Sequence, residues 1–136
     1  MKTLSILVFV SLFVHATLNA QETKVFENGL PGTIVAQKKT YTIEKCEMTA
    51  TSGLIEIKIY GEGLGFGSFD KNGKPPIKCY FKAKNQEYHS NITGAEKGSN
   101  IFIFNIPPGT SKPEPETIVF HAVDDAKNKR IEINCN

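Results

Sequence analysis

The chain has 136 residues, 40% of them hydrophobic and 22% charged, with no Trp, three Cys and a formal net charge of +2. These figures exclude a multi-domain enzyme, a disordered tail, a collagen-like fibre and a polycationic nucleic-acid binder, and they leave room for one domain. The basic residues are almost all Lys, with Arg130 the single Arg, so the side chain best suited to bidentate phosphate or base-edge recognition is nearly absent and no nucleic-acid partner is expected.

Lys2, the apolar run Leu4 to Val14 broken only by Ser5 and Ser11, and the small-residue stretch Ala16-Thr17-Leu18-Asn19-Ala20 follow one another in the order of a secretory signal peptide. The run is 11 residues long, where a helix needs about 20 to cross a hydrocarbon core, so no transmembrane segment is expected. Cleavage after Ala20 is predicted, with Val14-His15-Ala16 as a competing site. Residues 1–20 are thus assigned as a signal peptide and 21–136 as a single domain, secreted to an extracellular or periplasmic space. Lys2 is the one Lys, Arg, Asp or Glu removed, so the charge falls from +2 to +1.

Beyond Gln21 the pattern has period two. Short segments around Val25 and Ile34 lead into Thr40 to Met48. Leu54-Ile55-Glu56-Ile57-Lys58-Ile59-Tyr60 then puts its isoleucines on one face and its charges on the other. Ile77-Lys78-Cys79-Tyr80-Phe81-Lys82-Ala83 repeats this alternation, as does Arg130-Ile131-Glu132-Ile133-Asn134-Cys135. Ile101 to Ile106 and Ile118 to Val123 are apolar at both parities, which predicts central strands covered on both sides. Pro31, Pro75-Pro76, Pro107-Pro108, Pro113 and Pro115 punctuate the runs, and no stretch keeps a helical period. The fold class predicted is all-β, an antiparallel immunoglobulin-like β-sandwich of about seven strands, with a small closed barrel as the alternative.

The stretch Thr42-Ile43-Glu44-Lys45-Cys46, through Ser52-Gly53 to Ile55-Glu56-Ile57-Lys58-Ile59-Tyr60-Gly61-Glu62-Gly63-Leu64-Gly65, resembles the opening of IPT/TIG domains. Phe104-Asn105-Ile106-Pro107-Pro108 and a final strand pair extend the resemblance over roughly residues 40 to 134. It implies an immunoglobulin-like accessory or interaction module of cell-surface and secreted proteins, with no catalytic residues to carry over.

Cys46, Cys79 and Cys135 all survive processing, and an oxidising compartment favours one structural disulfide. The odd count leaves one thiol over, a route to a linked homodimer. Spacing does not choose the pair; three buried thiols are the alternative. Separations of 33 and 56 residues exclude a CxxC redox pair or a zinc knuckle. Cys79 and Cys135 share the apolar parity of their strands, so both are expected to point inward.

Gly61-Glu62-Gly63-Leu64-Gly65-Phe66-Gly67 is the most unusual segment. It is no dinucleotide fingerprint, since Phe66 or Ser68 stands where the third glycine belongs and no helix follows. Either Leu64, Phe66 and Phe69 plug an open end of the sandwich, or Leu64 and Phe66 contact a partner. Lys78, Tyr80, Lys82 and Lys84 share a parity and form a basic stripe with one aromatic, fit for an anionic glycan, a lipid headgroup or an acidic protein face, unless it is only a solvated strand that resists aggregation. Asp70-Lys71-Asn72-Gly73-Lys74 holds half the ligands of a calcium loop and is read as a turn, so no metal is expected. His121 is expected in the core with a hydrogen bond, and His89 at the surface. Asn91-Ile92-Thr93 makes Asn91 a glycosylation candidate.

No nucleophile, base and acid are brought together by spacing, and no cofactor motif is present. The function expected is a secreted, non-enzymatic binding or accessory module for a protein or glycan partner. A secreted enzyme inhibitor or small hydrolase is the alternative.

Overall fold

The computed structural model describes residues 21–136; the expected signal peptide, 1–20, lies outside the described residues. Strands β1 (Glu22–Phe26), β2 (Gly32–Ala36), β3 (Lys39–Ile43), β4 (Lys45–Ala50), β5 (Leu54–Tyr60), β6 (Ile77–Ala83), β7 (Gln86–His89), β8 (Ile92–Glu96), β9 (Ser99–Asn105), β10 (Thr117–Ala122) and β11 (Asp125–Asn134) carry almost all of the regular structure. The one helical element among them is the 3-10 turn Phe66–Ser68. Among the described residues there are thus eleven strands rather than about seven. The Thr40 to Met48 run divides at Glu44, whose N–H donates to the Tyr60 carbonyl at 2.8 Å, and β7 and β8 form in a stretch to which the sequence assigned no strand.

Pairing is antiparallel throughout. One sheet runs β1-β4-β5-β9-β8 and the other β11-β10-β6-β7, with β2-β3 as a separate hairpin. Taking β4, β5, β6, β8, β9, β10 and β11 as strands A to G, these are the A-B-E-D and G-F-C sheets of an immunoglobulin-like sandwich. β7 adds a strand beside C and β1 one beside A. The alternation in β5 buries Ile55, Ile57 and Ile59 against Cys79, Phe81, Ile118 and Phe120 of the facing sheet. Phe81 meets Phe104 edge-on at 4.9 Å, and Phe102 lies 5.7 Å from Phe120. Aromatic pairs of this kind add about 0.5–1.5 kcal/mol beyond the area they bury. The β2-β3 hairpin packs against β10 and β11 and sends Ile34, Ala36, Tyr41 and Ile43 into the same core.

β10 meets the expectation of a strand covered on both faces, since Val119 and His121 are buried as well as Ile118 and Phe120. β9 does not. Its Ile101 and Ile103 are only half-buried, on the outer face of the five-stranded sheet.

The expected disulfide is not formed: Cys46, Cys79 and Cys135 are all free thiols. Parity places each against the core, Cys46 and Cys79 fully and Cys135 half-buried, and there they act as small hydrophobic side chains. Burial pushes the Cys46 thiol up to about 12 and the Cys135 thiol to about 11, and raises Cys79 well above the ordinary value.

Candidate functional site

The turns divide between the two ends of the sandwich. The glycine-rich loop after β5 meets the β8-β9 turn, where the Gly61 N–H donates to the Gly98 carbonyl at 3.1 Å. The β2-β3 turn reaches the β10-β11 turn at the same end, Gln37 N–H donating to Asp124 Oδ2 at 3.0 Å. Val123 N–H closes this end by donating to the Pro76 carbonyl at 2.9 Å. The opposite end holds the β4-β5 turn and a cleft lined by Glu22, Met48, Ile55, Pro113, Cys135 and Asn136.

Within the glycine-rich loop, Gly65 N–H donates to the buried Asn100 Oδ1 at 2.8 Å, and the Gly65 carbonyl accepts from Ser68 N–H and Ser68 Oγ at 3.0 and 2.6 Å. Gly65 has φ +114, and a Cβ there would stand 3.0 Å from the Glu96 carbonyl oxygen, so no other residue fits without strain. These bonds fix the loop and separate the two residues expected to contact a partner. Leu64 is buried in the core cluster and is a plug, which corrects its assignment to a contact surface. Phe66 is 70% exposed, with the ring of Phe69 edge-on at 5.9 Å. Leu64→Ala is accordingly expected to lower the unfolding free energy by about 2 kcal/mol, and Phe66→Ser by less than about 0.5 kcal/mol. Urea midpoints check this, and equal losses at the two positions would contradict the split.

The stripe predicted on β6 is present on the outer face of the four-stranded sheet. Lys78, Tyr80 and Lys82 alternate with the core residues Cys79 and Phe81, and Lys84 lies beyond them in the turn to β7. Tyr80 is as buried as Leu64, which corrects its assignment as a contact and leaves the lysines as the exposed members. Register adds what the sequence reading left apart. Tyr80 is opposite His89 of β7 and Val119 of β10, while Lys78 is opposite His121. The Tyr80 ring stacks on His89 at 4.7 Å and lies 6.0 Å from His121. His121 is buried, with Nδ1 2.9 Å from the Ala122 carbonyl; a carbonyl only accepts, so Nδ1 carries the proton. His89 is exposed, with Nε2 3.1 Å from Glu87 Oε1. Both histidines were legible as residues, but only register shows that they border the stripe.

Charges on this face are unevenly engaged. Glu132 pairs with Arg130 at 3.2 Å, whereas Glu87, opposite Lys82 in register, lies 3.1 Å from His89 Nε2, a contact that is an ion pair only when His89 is protonated. Lys78 and Lys82 have no ion pair among the described residues. The other sheet's outer face differs: Lys58 Nζ donates to Glu96 at 2.6 Å, which holds its ammonium above the usual range, and Lys45 pairs with Glu47 at 3.3 Å.

The remaining candidates resolve simply. Asp70 Oδ1 accepts from the N–H groups of Asn72 and Lys74, each at 2.8 Å, so the half calcium loop is a turn closed on its own backbone. No group of three His, Cys, Asp or Glu among the described residues is placed to hold a metal ion. Asn91 is exposed where β7 passes to β8. No helix among the described residues is long and apolar enough to cross a membrane. Comparison with protein-family models, curated proteins and solved structures finds no match to the chain.

Proposed function

We propose that the chain is a secreted, non-catalytic binding module that engages an acidic protein or surface polymer through the outer face of β11-β10-β6-β7. The observation that carries this reading is the charge arrangement. Lys78 and Lys82 flank Tyr80 without ion pairs, while Glu132 of the same face is taken up by Arg130 and Glu87 lies within hydrogen-bond reach of His89. Unpaired lysines on an open face attract an anionic surface over a Debye length, about 8 Å at physiological salt. The resemblance to IPT/TIG domains supports the same class of function.

The test is a panel of anionic polymers at pH 7.5 and fixed ionic strength: dextran sulfate, hyaluronate and polyglutamate. Lys78→Glu/Lys82→Glu is expected to weaken binding at least about tenfold. Lys38→Glu/Lys97→Glu changes the net charge equally at exposed turns away from the face and is expected to have little effect. Equal losses in the two variants, or none in the first, would remove the face as the site. A second reading, an inhibitor that inserts a side chain into a partner's pocket, is favoured by one observation only, the exposed Phe66 on its fixed loop.

A further inference from the structure

We infer that the acidic partner is a linear polyanion, a polysaccharide bearing carboxylate or sulfate groups, and that His89 is a third cationic contact that makes its binding depend on pH. The inference rests on the binding face proposed above. A protein interface has an apolar, well-packed centre rich in aromatic residues, with lysine depleted. This face lacks such a centre: Tyr80 is 8% exposed, Val119 is fully buried, and the groups offered to solvent are Lys78, Lys82, His89, Glu87, Arg130 and Glu132. A polymer with regularly spaced anions needs no pocket, only cations in a row on a flat surface.

His89 stands at the β7 edge of that row. Tyr80 is its register partner and stacks against it, Lys78 and Lys82 are its diagonal neighbours on β6, and Glu87 on its own strand, itself opposite Lys82, lies 3.1 Å away. Histidine is the side chain class that changes charge between pH 5 and 8. A proton on His89 therefore places a third positive charge beside the two lysines and satisfies Glu87, whose carboxylate otherwise opposes an approaching anion. His121 is not offered to the polymer. It is buried, its Nδ1–H is held by the Ala122 carbonyl, and it lies in register with the cations Lys78 and Arg130, with Glu132 two pairs further on.

The experiment measures binding of the full mature chain to dextran sulfate and to hyaluronate, from pH 8 to pH 5 at constant ionic strength. The wild-type affinity is expected to rise about fivefold as the pH falls. His89→Gln, an exposed substitution, should make the profile flat at the weaker level, and His89→Lys should make it flat at the tighter level. Preference for one polymer assigns the anion as sulfate or carboxylate. A flat wild-type profile, or a pH dependence retained in His89→Gln, overturns the role of His89. Binding to polyglutamate alone overturns the polysaccharide assignment while leaving the face intact. Insensitivity to Lys78→Glu/Lys82→Glu removes the face itself.

Discussion

Gly61→Ala is expected to destabilise the fold by at least about 3 kcal/mol, toward the upper end of what overpacking produces. A Cβ on Gly61 would stand 1.7 Å from the Thr42 carbonyl oxygen and 2.8 Å from its carbonyl carbon. Both are backbone atoms, so no rotamer change relieves the contact. The Glu44 N–H bond to the Tyr60 carbonyl holds the end of β3 against β5 at this point. Relief would draw β3 away and uncover Tyr41 and Ile43, which the core now buries. Gly53→Ala supplies the comparison. A Cβ there meets nothing within 4 Å, and its φ lies outside the left-handed region. That variant should stay within about 0.5 kcal/mol of wild type. Urea unfolding followed by far-UV circular dichroism measures both, and matching midpoints would mean that the close approach of β3 to the loop does not hold.

The second large effect is alkaline. A buried thiol that keeps its proton to higher pH than an unfolded one makes the native state the stronger proton binder. The stability it contributes is complete below the unfolded value of 9.0 and is lost as pH rises through the folded value, about 12 for Cys46. For Cys46 alone the full loss is of order 4 kcal/mol. Cys79 acts in the same sense, as does Tyr41, whose hydroxyl burial also raises it. The urea midpoint should therefore fall steeply between pH 9 and 12. Cys46→Ala should flatten that limb, although it weakens the protein at pH 7 by deleting a buried group. In denaturant the wild-type chain should titrate three thiols, and in the native state react slowly, because the thiolate is the reactive form. Parallel alkaline limbs in Cys46→Ala and wild type would rule out this origin.

What the sequence disclosed follows from how local each feature is. Alternation in Leu54 to Tyr60 and Ile77 to Ala83 fixed which residues face inward, because a strand's period of two is a property of consecutive residues. The burial of Cys79 and Cys135 followed from the same parity. Leu64 and Phe66 were not separable, since each follows a glycine in an irregular loop and only the anchor to Asn100, distant in sequence, decides which turns in. The division at Glu44 depends on a bond to Tyr60, sixteen positions away. Whether cysteines join is likewise a matter of three-dimensional placement. The charge arrangement around Tyr80 needed the register of β7, β6 and β10, which spacing along one strand does not contain.

Glu22 and Asn136 line one cleft, at the end of the sandwich away from the glycine-rich loop. Nearby first and last strands are the geometry in which circular permutation succeeds. A short linker across that cleft would turn the described chain into a closed ring of antiparallel strands. It could then be reopened in the exposed loop at Ser111-Lys112, outside every strand, with every strand pair retained.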